Sequence, residues 1–148
     1  MRSLPTDKLI SCFYDSSEDC VKVLDINGTL MSFNPNGFKI MEIDDPKAVI
    51  GKDWLAFWKG NLHDIASAAF EKARAGTLAK FEGYCPTFKG TMKYWEVTIA
   101  PLHNEYGDVQ WLLVSSRDET RRKNTEEEVK RLRKRVVELE KMLPAVSR

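Results

Sequence analysis

Three cysteines, two histidines and one cluster of acids are the side chains of this 148-residue chain that could carry chemistry. Cys12, Cys20 and Cys85 are odd in number and lack the paired spacing of a disulfide framework or a zinc site. Cys12 and Cys20 have apolar neighbours and read as buried thiols. Glu42, Asp44 and Asp45 gather near an expected loop, but no base or nucleophile is placed with them. The chain has no Gly-rich phosphate loop, no Gly-x-Ser-x-Gly elbow and no His-Glu-x-x-His pair. Acids in such a setting make a solvated turn, so the chain is not read as an enzyme. His63 begins a helical stretch, and His103 stands beside a turn where it is expected to be exposed. The aromatic residues Trp54, Phe57, Trp58, Phe70, Phe81, Tyr84, Trp95 and Trp111 are numerous enough to line a flat apolar cavity. They could equally fill a core.

The C-terminal segment speaks through its period. Val129, Leu132, Val136, Leu139 and Leu143 fall at a, d, a, d, a of a heptad repeat. Valine at a with leucine at d favours a parallel two-stranded coiled coil. Glu128 would face Arg133 of a second copy, and Arg135 would face Glu140, both attractive in register. Pro144 stops the helix. The alternative is a charged helix that folds back on its own domain or pairs antiparallel, since about three heptads are marginal in isolation. From Arg117 to Arg148 there are eleven Lys/Arg against seven Asp/Glu, a mild excess suited to a solvated coil surface. Only Arg121, Arg122 and Lys123 precede the repeat, too few for a basic DNA-binding helix, so no nucleic-acid partner is expected. No stretch approaches eighteen apolar residues and no signal-peptide core is present, so a cytoplasmic, reducing setting without membrane contact is expected.

The elements that must position these groups follow from pattern and punctuation. Residues 7–16 read as a helix with Asp7 as N-cap and an apolar stripe of Leu9, Ile10, Phe13 and Tyr14. Cys20–Ile26 and Thr29–Phe33 form a hairpin across Asn27-Gly28. Short helical pieces are predicted near Gly37–Met41 and Pro46–Ile50, and an aromatic segment over Lys52–Trp58. His63–Ala75 reads as a helix with Ile65, Ala68, Ala69 and Ala73 on one face and Gly76 as its stop. Strands Leu78–Cys85, Thr91–Leu102 and Val109–Ser116 complete a five-stranded antiparallel sheet with helices on one face, an α+β fold. The division is an N-terminal helical cap (1–17), a sheet domain (18–118) and a coiled-coil helix (119–148).

This order, with its motifs, resembles a PAS domain. The carriers are Asp25-Ile26-Asn27-Gly28, Asn34, Ile50-Gly51-Lys52, Lys89-Gly90 before Tyr94-Trp95-Glu96-Val97, and the closing Ser116-Arg117-Asp118-Glu119-Thr120-Arg121-Arg122. The last run is similar to the family's terminal Asp-Ile-Thr signature, with Glu119 in place of the apolar residue. The resemblance implies a sensory or dimerisation module that binds ligands between sheet and helices and relays a stimulus to its output helix. Asp118 could cap a helix starting near Thr120, either as a cap alone or as a cap and relay. Trp54, Trp58 and Tyr84 are the candidate cofactor-binding residues. Trp95 and Trp111 are candidates for the outward face, where the family often dimerises. Trp54 stands where the flavin-binding branch of the family carries its reactive cysteine, which disfavours cysteine-adduct flavin chemistry. His63-Asp64 is similar to the proximal pair of the heme branch and makes His63 a heme-ligand candidate. Heme itself is disfavoured, because the distance to Gly76 looks longer than in that branch. No cofactor is assigned. The partners implied are a second copy of the chain and a histidine kinase or other signalling output domain. The alternative is a non-sensing dimerisation scaffold with a filled core.

Overall fold

The computed structural model describes residues 3–144. They fall into two units, one ending at Asp118 and one beginning at Glu119. In the first, helix α1 (Thr6–Ser16) precedes strands β1 (Cys20–Asp25) and β2 (Leu30–Phe33) and helix α2 (Pro35–Ile40). Two 3₁₀ turns (Pro46–Ala48 and Trp54–Phe57) lead to helix α3 (Asn61–Arg74) and strands β3 (Ala79–Pro86), β4 (Met92–His103) and β5 (Val109–Asp118). The second unit is helix α4 (Thr120–Met142).

The strands pair antiparallel in the order β2-β1-β5-β4-β3, which places the last strand at the centre beside the first. Alternation then sorts the side chains. Cys20, Lys22 and Leu24 of β1, Phe81 and Cys85 of β3, Val97 and Ile99 of β4, and Leu112, Val114 and Ser116 of β5 are buried. Helix α3 covers that face with Ala66, Ala69, Phe70 and Ala73. This stripe is displaced from the predicted one. Ile65 and Ala68 are exposed, because Phe70 is the bulky anchor and it sets the helix phase. Gly76, at φ 107°, ends the helix as expected.

Local caps hold the β1–β2 turn and the irregular segment between β2 and α3. At Asn27-Gly28, Asp25 Oδ1 accepts the amides of Asn27 and Thr29, both at 2.9 Å. Asp45 and Asp53 cap the two 3₁₀ turns through the amides of Lys47 and Leu55. Asn34 is fully buried and caps α2 through the Gly37 amide. Pro35 follows at the first helical position, where its missing N–H costs nothing.

Helix α1 differs from expectation. It starts one residue earlier, with Pro5 at the N-cap position, and it buries no residue. Its apolar stripe is largely uncovered, Phe13 being 73% exposed, so Cys12 is an exposed thiol rather than a buried one. Tyr14 alone is half-buried, its hydroxyl bonded to Ser32.

Candidate functional site

A cavity of about 30 Å³ lies between the sheet and the irregular segment. Trp54 and Trp58 wall it from the segment side, each 5% exposed or less. Their rings meet edge to face with centroids 6.0 Å apart, and Trp58 meets Phe81 of β3 at 4.9 Å. Trp95, on β4, faces inward and not outward. Its indole N–H donates to the Cys85 carbonyl at 3.0 Å, so its polar edge is satisfied in the core. Phe57 and Phe88 stack obliquely at 5.6 Å and, with Met41 and Cys85, line both the cavity and an open groove of about 550 Å³ outside it. Lys52 and Lys59 line that outer groove.

The sheet supplies the polar end. Lys22 is only 4% exposed and its Nζ donates to Ser116 Oγ at 2.9 Å, Cys20 Sγ at 3.2 Å and Cys20 O at 3.5 Å. The ammonium also lies over the Phe33 ring, 5.5 Å from its centroid. Burial pushes the Cys85 thiol up, and the Lys22 and Lys59 ammonium groups oppose this only in part. A thiol held up in this way is a poor nucleophile at neutral pH. Iodoacetamide is therefore expected to label Cys12 readily in the native protein, and Cys20 and Cys85 only after unfolding. Peptide mapping reads this directly, and equal labelling of Cys12 and Cys85 would contradict it.

The candidates from sequence divide cleanly. Trp54 and Trp58 meet at the cavity. Tyr84 does not. Strict alternation along β3 turns Phe81 and Cys85 inward and leaves Tyr84 on the other face, 44% exposed and against Tyr94 with ring centroids 4.8 Å apart. His63 also lies away from the cavity. It sits in the first turn of α3 with half its side chain exposed, and its Nδ1 is 3.9 Å from Asp64. The residue of that turn that meets the sheet is Leu62, which fits only because Gly83 has no Cβ. Among the described residues no cluster of metal-binding side chains occurs, and no helix is long and apolar enough to cross a membrane.

At the end of β5, the Asp118 carboxylate pairs with Lys93 at 3.2 Å, and Lys93 also donates to the Ile40 carbonyl at 3.1 Å. One ammonium thus joins the end of the last strand to the end of α2. The N-cap position of α4 belongs to Glu119 and not Asp118, and the Glu119 side chain makes no cap bond. Arg122 reaches back to Glu119 at 3.1 Å and pairs with Glu126.

Along α4, Val129, Leu132, Val136 and Leu139 form an exposed apolar stripe. Leu143 lies past the helix, extended at ψ 137°, because the residue before Pro144 is driven out of the helical region. Glu128 bonds Arg131 and Arg135 pairs with Glu138 within the helix.

Lys22 and Ser116 were missed as site residues by sequence reasoning. A signal for Lys22 exists in Cys20-Val21-Lys22-Val23-Leu24, where period two places it in phase with two apolar residues.

The match to known proteins agrees with this architecture. Residues 14–124 match the family described as the PAS fold. Among solved structures, an RNA-binding light-oxygen-voltage receptor superposes with a TM-score of 0.74 at 16% identity, over 86% of this chain and 37% of that one. The chain therefore spans well under half of that receptor. A PAS domain from Colwellia psychrerythraea gives 0.69 at 18% identity, covering 78% of this chain and 98% of that one. A domain of a sensory box sensor histidine kinase/response regulator from Geobacter sulfurreducens gives 0.65 at 18% identity, covering 76% and 94%. No curated protein matches the chain. With a sheet of five antiparallel strands, α3 packed on its buried face and a family match over three quarters of its length, the chain belongs to the PAS-fold family.

Proposed function

We propose that this chain is a cytoplasmic sensory and signal-transmission module that works as a parallel homodimer. The observation that carries the reading is the position of β5. It supplies Ser116 to the cavity wall, and its last residue, Asp118, directly precedes a helix with coiled-coil periodicity. A stimulus in the cavity shifts β5, and the shift passes along the chain through Asp118 and Thr120 into the register of the coil. Such a switch requires a ligand that binds the two states unequally. The output is a histidine kinase or another signalling domain, in a partner or in a larger parent protein. The Geobacter neighbour, named as part of a sensor histidine kinase/response regulator, supports that class of output. Trp54 stands where the flavin branch of the family needs cysteine, and Cys85 lies on β3, which supports a reading without cysteine-adduct flavin chemistry.

A native mass spectrum of freshly purified protein tests this reading. A dimer with added mass supports it, and a bare monomer overturns the coil. Val136→Lys tests the seam. Placing an ammonium at a central a position in both helices removes two buried apolar side chains and is expected to weaken dimerisation about a hundredfold or more. An unchanged dimer constant by sedimentation would show that the coil is not the main interface.

A second reading is a dimerisation scaffold that senses nothing. It is favoured by the cavity volume of about 30 Å³, which accepts little more than a water molecule without rearrangement.

A further inference from the structure

Lys22 is a charge with no counter-charge. Its Nζ is buried, and its hydrogen-bond partners are a hydroxyl, a thiol and a carbonyl, all neutral. Among the described residues no carboxylate lies within 4.0 Å of it. Removing an ammonium from water is costly, and attraction to neutral dipoles returns only part of that cost. A methionine of similar length would fill the same space without the penalty. The strand alternation that buries Lys22 is shared with Cys20 and Leu24, so the backbone cannot turn this side chain to solvent without turning its neighbours out.

We infer that Lys22 and Ser116 form the anion-binding end of the cavity, and that the ligand is a small organic carboxylic acid with an apolar body. This rests on the cavity being the sensory site. The choice of a carboxylate follows from the donors. One ammonium and one adjacent hydroxyl match the two oxygens of a monoanion, whereas a phosphate would bury further oxygens against apolar walls. Trp95 adds no donor, since its N–H is taken by the Cys85 carbonyl. The remaining walls are the rings of Trp54, Trp58 and Phe57, which suit the body of the acid. The present volume holds only a water-sized guest, so the body occupies space opened by Met41, Phe57 and Phe88. These side chains already face the outer groove, where Lys52 and Lys59 outnumber Asp53 and leave a net positive charge towards the entrance. On binding, the carboxylate takes over Lys22 hydrogen bonds that now end on Ser116 and Cys20. Ser116 lies two residues before the end of β5, so the ligand changes the hydrogen bonding of the strand that leads to α4.

The test uses the full chain, with benzoate and its uncharged counterpart benzyl alcohol as probes, followed by quenching of the tryptophans that wall the cavity. Wild type is expected to bind benzoate at least about tenfold more tightly than benzyl alcohol, as one charge-assisted contact allows. In Lys22→Met that preference should vanish while benzyl alcohol still binds. In Ser116→Ala it should fall severalfold. Lys22→Met without ligand should also melt higher than wild type, as expected where a buried charge is kept for binding and not for stability. A wild type that binds both probes equally, or a Lys22→Met variant that keeps the preference, overturns the anion site and leaves the cavity reading intact. If neither probe binds, the sensory cavity and the anion site fall together. Benzoate that binds through Lys22 without altering coil cross-linking confirms the anion site and removes the relay.

Discussion

Trp54→Ala is expected to destabilise the sheet domain by about 4 kcal/mol, within the range for truncating a buried tryptophan. The side chain is 3% exposed and its ring packs against Trp58 and Phe81, with centroids at 6.0 and 6.3 Å. Its backbone amide donates to the Gly28 carbonyl at 3.0 Å, a bond the substitution leaves in place. The loss is therefore one of packing and cavity creation, and the new void joins an existing one. Urea denaturation should show a lower midpoint with an unchanged slope. The same variant separates the two functional readings. If the cavity senses a ligand, Trp54→Ala also removes ligand-dependent changes in the coil. If the domain is a scaffold, only stability falls. Trp54→Phe, which keeps a ring, provides a folded comparison if the alanine variant consumes most of the domain's stability.

Asn34→Ala should cost about 3 kcal/mol, although the change removes few atoms. Asn34 uses its whole amide. Oδ1 accepts from the amides of Val21 and Gly37, both at 2.9 Å, and Nδ2 donates to the carbonyls of Tyr14 at 3.1 Å and Asp19 at 3.0 Å. One side chain thereby joins the end of α1, the start of β1 and the N-terminus of α2. Losing a cap costs about 1 kcal/mol, and buried groups left without partners add about 1–3 kcal/mol. Asn34→Asp sharpens the test. Aspartate is as good a cap as asparagine, but it turns two donors into acceptors that face two carbonyls. If Asn34 were a cap alone, Asn34→Asp would behave as wild type in thermal melting. The network requires it to be at least as damaging as Asn34→Ala. The site has no spare room either, since a Cβ on Gly37 would come within 2.7 Å of Asn34 Oδ1.

The charges around the strand-to-helix junction carry less energy than this. Lys93–Asp118 is partly exposed, and such pairs contribute modestly in water. Its importance lies in what it connects, the end of β5 with the end of α2. The ion pairs along α4 are local and solvent-exposed, and a partner helix would re-sort Glu128 and Arg135 at little cost.

Local order was legible in the sequence wherever one physical rule acted alone. Asn27-Gly28 marked the first turn, Gly76 the end of α3, Pro144 the end of α4, and period two marked the strands. The Asn-Gly, Gly and Pro rules concern backbone conformations that few residues tolerate, and period two follows from strand geometry, so neighbours in sequence suffice to read them. The order of the strands, with β5 between β1 and β4, was not legible, because pairing joins residues far apart in the chain. Tertiary structure decided which face each element shows. On β4, Tyr94 and Trp95 are adjacent aromatics, and either parity would turn one of them towards the core. Pairing of Gly83 with Trp95 and Tyr84 with Tyr94 settles it, because Gly83 shares the buried face of Phe81 and Cys85. The same register removes Tyr84 from the cavity. For α3, alanines on several sides leave the phase open until Phe70 meets the sheet. Lys22 shows the division most clearly. Its alternation with Cys20 and Leu24 was present in the sequence, yet lysine ordinarily points to water. Only the pairing of β1 with β5, which brings Ser116 to its ammonium, shows that this lysine points inward.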